Sequence, residues 1–446
     1  MRDRVLWLGC LVYAALFTWL GSIKFAAHRN LVDFGIFAQT VAGAFGCFCN
    51  SVEGSHWAFH FSPILYPVAL VVRGVYSPLT LIALQAIAGA LVAPPVFAMV
   101  RPRSGVPAAR LAALVVWLYP PLAGLTFGDF HENGFAPAAV AWTLYAFDAG
   151  LLGWALFAAF VTLLIKEDQA VFLAIGGALG AWRFRGTMRG RLAAAVSVVS
   201  VLVLVAFFAY IQPHAAAAAA APWQPWRFYA WSAPSAGAVA AGIGVRVGFL
   251  LLIFVPLLFL PFRSSIIWLA VAPLGEVLLS RMPTTFTLGT HYAGAWLGYV
   301  LTAFAFGLRE LRPESARRAL LSCIALCVLE LAVADPLHPG LNLHWPQARD
   351  VALDGFLQTL PTNAGIATQE EAYTHLALFN PFARPLPETA SQPVDACYIL
   401  IDLDFPDSPR LQEYGGAVQH LVREGVYLRA AQIGGIVLYH RAEACH

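Results

Sequence analysis

Five short stretches of this 446-residue chain place ionisable side chains beside apolar runs. The first is Asp33-Phe34-Gly35-Ile36-Phe37-Ala38-Gln39. Asp33 either caps an interfacial helix running from Phe34 to Phe45, or offers a carboxylate as general base or metal ligand. In His56-Trp57-Ala58-Phe59-His60 the two histidines share a face if the segment is helical, a spacing that suits a metal. Two ligands alone do not make a metal site, and aromatic packing with hydrogen bonds is the plainer reading. Asp129-Phe130-His131-Glu132 sets an imidazole between acids, where a merely structural turn would more often use Gly, Asn or Pro. Lys166-Glu167-Asp168 is either a solvated turn or, drawn among helices, a cation for a phosphate balanced by carboxylates. Glu276, Arg281, His291 and Tyr292 flank a later loop; Arg281 suits bidentate phosphate binding, or simply pairs with Glu276.

The elements that must position these groups are membrane helices. The chain is 59% hydrophobic and 12% charged, about half the charge of a soluble domain. Apolar candidates for spans of about 20 residues are 5–23, 79–100, 107–127, 133–148, 151–165, 168–182, 192–211, 246–262, 264–279, 291–307 and 319–334, or about eleven helices. The first is read as a retained helix rather than a cleaved signal. Ser62–Val72 is too short to span and is expected to be re-entrant or interfacial. Arg2/Arg4, Arg101/Arg103, Arg183/Arg185/Arg189/Arg191, Arg263 and the run from Arg309 to Arg318 mark the cytoplasmic side. The N-terminus is then cytoplasmic. The first loop (24–60), the other loops carrying the ionisable groups, and everything after 335 fall outside. The stretch Ala215–Ala221 followed by Pro222-Trp223-Gln224-Pro225-Trp226 suits an interfacial spacer, or a contact for a lipid chain.

After Pro336-Leu337-His338-Pro339-Gly340 the pattern turns mixed, which predicts a small α/β domain over 336–446 following a helical domain over 1–335. Strands are expected at Ala364–Thr368, Ala396–Asp402, Val426–Arg429 and Gly435–His440, and helices at Glu370–Leu378 and Ser408–Arg423. Cys10, Cys323 and Cys327 fall in apolar runs and read as packing residues. Cys47 and Cys49 are too close in sequence for an easy bridge, whereas Cys397 and Cys445 could pair outside the cytoplasm. No Gly-rich phosphate loop, His-Glu-x-x-His or Gly-x-Ser-x-Gly occurs, and no basic tail points to nucleic acid.

Taken in order, Asp33–Gln39, His60-Phe61-Ser62-Pro63, Asp129–Glu132, Lys166-Glu167-Asp168 and His291-Tyr292 resemble the DUF2079 family of predicted membrane proteins, over nearly the whole chain. The layout is similar to GT-C membrane glycosyltransferases. That resemblance implies a sugar moved from a polyprenyl-phosphate carrier to an envelope glycan or protein acceptor, at the outer face of a bacterial cytoplasmic membrane and among membrane lipids. It implies Asp33 as the central carboxylate, assisted by His131 and Glu132. Lys166 and Arg281 would face the departing phosphate, and Gln39, His60, His291 and Tyr292 would contact substrate. A divalent metal ion at Asp33 and His60 would fit the class, although the familiar Asp-Asp or Glu-x-Asp pair is absent and Asp33 stands alone. The alternative is a membrane protein that binds a lipid carrier or glycan, or transports it, without breaking a bond.

Overall fold

The computed structural model describes residues 3–216, 228–229, 236–334, 337, 343–387, 393–405 and 408–443. Its helices in chain order are α1 (Arg4–Ala26), α2 (Val32–Ala42), α3 (Leu65–Gly74), α4 (Pro78–Ala90), α5 (Ala93–Leu118), α6 (Pro120–Phe127), α7 (Ala136–Asp148), α8 (Leu152–Leu163) and α9 (Glu167–Arg183). They continue as α10 (Met188–Ala206), α11 (Gln212–Ala216), α12 (Ala236–Phe254), α13 (Val271–Leu279), α14 (Ala293–Arg309), α15 (Pro313–Val333), α16 (Ala348–Leu357), α17 (Glu370–Leu376) and α18 (Pro409–Arg423). The strands are β1 (Cys49–Asn50), β2 (Gly54–Ser55), β3 (Ile366–Thr368), β4 (Ala383–Pro385), β5 (Tyr398–Asp402), β6 (Tyr427–Ile433) and β7 (Ile436–Arg441). Most of the alanine run, together with Trp223 and Trp226, lies outside the described residues.

Among the described residues three helical stretches are long and apolar enough to cross a membrane: Arg4–Ala26, Pro78–Leu118 and Met188–Ala216. The apolar helices Leu65–Gly74, Leu152–Leu163, Val239–Phe254 and Ser265–Leu279 are shorter. The sequence separates 79–100 from 107–127, and the backbone leaves the helical conformation between them. Gly105, at φ 79°, makes a kink inside α5 flanked by Pro102 and Pro107.

The chain forms two compact units: Met1–Thr18, Trp57–Leu65 and Ala83–Gly340 in one, and Trp19–His56, Tyr66–Ile82 and Leu341–His446 in the other. The second begins near the expected boundary at 336 but also takes in two N-terminal stretches. In the first unit α14, apolar but for Thr302 and Arg309, is buried along nearly its full length. Close approach is possible because Gly294 and Gly298 leave no side chain where the backbone at Asn133 and Pro137 passes. Some buried hydroxyls are matched internally: Tyr119 donates to the Ile253 carbonyl at 2.8 Å, and Tyr13 and Thr126 bond at 2.9 Å.

The second unit contains a five-stranded sheet in the order β4-β3-β5-β7-β6. Strand β3 is parallel to both neighbours, while β5, β7 and β6 are antiparallel. Ile399, Ile401, Tyr414, Val418 and Tyr427 form its core with Ala367. The expected strands and helices of this domain are present, and β4 and α16 join them. Within the same unit α2 buries Phe34, Ile36, Phe37 and Val41. Asp33 sits in its first turn, but Leu31 occupies the cap position and no side chain caps it.

Two expectations are corrected here. His56 and His60 do not share a helical face, because the 3₁₀ turn His56–Ala58 ends before His60. Instead His56 is buried against Glu53, with Nδ1 at 2.9 Å from the carboxylate. Cys47 and Cys49 do form a disulfide. The left-handed backbone at Phe48, φ 52°, turns the chain back and brings the two Cα atoms to 5.1 Å, inside the range a bridge needs. Cys10, Cys323 and Cys327 are free and buried, as their apolar settings predict. Cys445 lies outside the described residues.

A Cβ on Gly35 would overlap the Tyr373 ring, which is itself buried and donates to Gln39 Oε1 at 2.8 Å. Gly35→Val should therefore cost about 1–3 kcal/mol through overpacking. Thermal unfolding of the purified protein in detergent checks this, and an unchanged Tm would contradict the packing described.

Candidate functional site

The polar centre of the first unit grows from the loop after α6. Gln85, on α4, is buried and serves that loop as a template. Its amide nitrogen lies 3.1 Å from the carbonyls of Leu125 and Gly128, and its oxygen accepts the His131 N–H at 3.0 Å. The loop has no helix or sheet partners of its own here, so one side chain satisfies backbone groups that would otherwise be buried unpaired. His131 then starts the short 3₁₀ turn Glu132–Phe135, and its Nδ1 accepts the Asn133 N–H at 3.2 Å. With Nδ1 accepting, the proton of the neutral ring sits on Nε2.

Glu132 is fully buried, and its Oε2 lies 2.9 Å from His131 Nδ1. That nitrogen has no proton to give in the neutral ring, and neither carboxylate oxygen completes a hydrogen bond among the described residues. The compensating charge is Lys166, whose ammonium is 3.7 Å from Oε1. Lys166 precedes α9, and Glu167 and Asp168 fill that helix's first turn, where its dipole favours anions. Glu167 is tied down by His60 Nδ1 at 2.8 Å and the Phe61 N–H at 2.9 Å. The His131 and His291 rings stack at 3.8 Å, and Tyr292 packs beside His291 at 4.1 Å. Glu276 and Tyr229 feel the charges of Asp168 and Lys166. Thus His60, His131, Glu132, Lys166, Glu167, His291 and Tyr292, from well-separated stretches of sequence, form one linked cluster.

The electrostatics follow from burial. Desolvation opposes the Lys166 ammonium, but Glu132, Asp168 and Glu167 outweigh it and hold the amine above the usual lysine range. Desolvation pushes His131 down to about 4, and the attraction of Glu132 only partly offsets this. At neutral pH the cluster therefore holds a charged lysine beside a neutral imidazole.

Other expected residues lie elsewhere. Arg281 is exposed, its backbone N–H bonds the Phe228 carbonyl, and among the described residues it forms no ion pair with Glu276. Asp33 and Gln39 belong to the second unit. Gln39 spends its amide on structure. Nε2 donates to the carbonyls of Asn380 at 3.1 Å and Ala383 at 2.8 Å, while Oε1 accepts from Ser51 and Tyr373. No hydrogen or lone pair remains on it for a substrate, so substrate contact is not assigned to Gln39. The one group of His, Cys, Asp and Glu able to hold a metal among the described residues contains neither Asp33 nor His60. Gln85 and Asn133 are buried members that the sequence reading passed over. The available signal was the cost of a lone amide inside an apolar helix, which Gln85 carries within Pro78–Leu118.

The lowered His131 pKa has a defined sign. Above about pH 6.5 the residue is neutral both folded and unfolded and contributes nothing. Between 6.5 and about 4 the unfolded chain binds a proton that the folded chain refuses, so stability falls as pH falls. The loss should reach the order of 3 kcal/mol at the bottom of that window. His131→Gln should flatten the pH dependence of Tm by one proton's worth, and an identical profile in both proteins would refute the assignment.

The family model described as "Predicted membrane protein (DUF2079)" matches residues 28–438. No curated protein matches the chain. Among solved structures, ArnT from Cupriavidus metallidurans bound to undecaprenyl phosphate aligns with TM-score 0.56 at 12% identity, covering 98% of each chain. The apo form of the same protein gives 0.57 at 14% identity and 97% of each chain. The oligosaccharyltransferase of Archaeoglobus fulgidus, tethered with an acceptor peptide, gives 0.43 at 11% identity, covering 97% of this chain and 74% of that one. The structural neighbours are GT-C glycosyltransferases, and the fold shared with ArnT is the GT-C fold. The chain belongs to the DUF2079 family of predicted membrane proteins.

Proposed function

We propose that this protein is a GT-C-type membrane glycosyltransferase that moves a sugar from a polyprenyl-phosphate carrier to an envelope acceptor, at the outer face of a bacterial cytoplasmic membrane. The observation that carries the reading is that a protein of the same fold, aligned over 98% of both chains, binds undecaprenyl phosphate. In this reading the acceptor hydroxyl oxygen bonds to the anomeric carbon as the carbon–oxygen bond to the carrier phosphate breaks. The electron pair goes to the phosphate, and the hydroxyl proton goes to a base.

Asp33 is the proposed base. His131 and Glu132 orient the hydroxyl-bearing substrate, because a buried carboxylate with both oxygens short of donors is an acceptor for sugar hydroxyls. Lys166, held charged by its carboxylates, faces the leaving phosphate, with Arg281 as the second cation. His60, His291 and Tyr292 line the same polar cluster and contact the substrate. About eleven spans, with the N-terminus cytoplasmic and the C-terminal domain outside, complete the proposal.

Asp33→Asn should lower transfer from polyprenyl-phosphate-linked sugars by about 10²–10⁴-fold while carrier binding persists. Wild-type turnover in that variant would remove the base. Lys166→Met should weaken both carrier binding and turnover. Carrier binding by the wild type with no sugar release to any acceptor would favour a binding protein over a transferase.

A further inference from the structure

A second constellation lies wholly in the second unit and belongs to no role described so far. His28 follows α1 in a left-handed backbone conformation, φ 54°, which a non-glycine residue adopts only at a cost. Asp354 projects from α16 and His375 from the last turn of α17. His28 Nε2 lies 3.1 Å from Asp354 Oδ1, and His375 Nδ1 lies 2.9 Å from the same oxygen.

The proton count at this oxygen is the difficulty. His375 Nε2 lies 2.9 Å from the Phe25 carbonyl. A carbonyl only accepts, so Nε2 carries a proton and Nδ1 of the neutral ring presents a lone pair to the carboxylate. His28 is fully buried, and neither of its ring nitrogens completes an aligned hydrogen bond. The two rings stack at 3.7 Å, 13° from parallel, so charging both as imidazolium would place like charges face to face. A cation between the three ligand atoms would engage His28 Nε2, the His375 Nδ1 lone pair and the Asp354 carboxylate together.

We propose that His28 Nε2, Asp354 Oδ1 and His375 Nδ1 bind a divalent transition-metal ion of the zinc class. These atoms lie within 4.8 Å of one another. Two imidazoles and one carboxylate are a donor set for such ions, whose bonds run to about 2.0–2.2 Å. The support around the ligands fits as well. His375 donates its other ring nitrogen to a backbone carbonyl, as metal-bound histidines do, and the Phe25 ring stacks on it at 3.9 Å. Asp354 is 37% exposed, which leaves room for water as a fourth ligand and a route for the ion. The metal ties the turn after α1 to α16 and α17, five residues ahead of Asp33 in the chain.

The test uses full-length protein purified in detergent, stripped with a chelator and titrated with zinc sulfate against a chromophoric competitor. The expected result is about one tight equivalent per chain and a Tm that rises on zinc addition. Both effects should be lost in Asp354→Asn and in His28→Gln. A wild-type chain that binds no zinc at micromolar free metal, or either folded variant keeping the full equivalent, overturns the site. Should a variant fail to fold, the wild-type titration and its Tm response still decide. Neither readout depends on transferase activity.

Discussion

An ammonium group with 8% of its residue surface exposed can persist only where negative charge and hydrogen-bond geometry are supplied in the same space. Lys166 sets that requirement for the first unit. Glu132 meets it directly, and Glu167 and Asp168 meet it through the helix turn they share. Each partner then imposes conditions of its own. Glu132 opens a short 3₁₀ turn that follows an irregular loop, and Gln85 holds that loop by its carbonyls. The loop must pass against α14, so Gly294 stands where any side chain would strike Asn133. The chain of dependence runs from one buried charge to a template residue on α4 and then to a glycine on α14.

The sequence made the cluster visible for the same reason the structure must work to hold it. Charges in apolar runs are costly and therefore conspicuous, which is why His131, Glu132, Lys166 and Glu167 stand out before any fold is known. Their mutual contacts were not legible, because they join residues about 35 to 160 positions apart in sequence, through loops of irregular geometry. Gln85 escaped because a neutral amide hardly disturbs the hydropathy of its helix. The Cys47–Cys49 bridge escaped because it turns on the backbone of Phe48, and spacing alone reports nothing about φ. Strand β4 escaped because three residues including Arg384 and Pro385 carry no alternating pattern, and its pairing with β3 is what makes it a strand.

The second unit shows a different limit. The stretch 24–60 reads as an external loop, yet α2 within it buries an apolar face, and Gln39 bonds the carbonyls of Asn380 and Ala383, more than 300 residues away in sequence. A polar residue in a conspicuous motif had two readings, recognition of a ligand or internal satisfaction. Only its partners decide between them. For Gln39 all bonding capacity is used inside the protein. For Glu132 neither oxygen completes a hydrogen bond among the described residues. Motif membership is the same for both, and their unused hydrogen-bonding capacity separates them.

That difference also constrains the proposed chemistry. Around Lys166 stand three carboxylates, of Glu132, Glu167 and Asp168, against one ammonium. Of these, Glu167 is engaged by His60, and His131 is neutral at ordinary pH. Such a cluster is not positive, and a phosphate leaving group gains charge as the glycosidic bond breaks. Lysine alone, already balanced by carboxylates, would stabilise that charge weakly. In the proposed reaction a further cation is therefore required, and Arg281 fits the need because it is exposed and forms no ion pair among the described residues. Under the proposed function the Glu132 oxygens would take the neutral, hydroxyl-rich part of the substrate and the cations the phosphate, a division by charge.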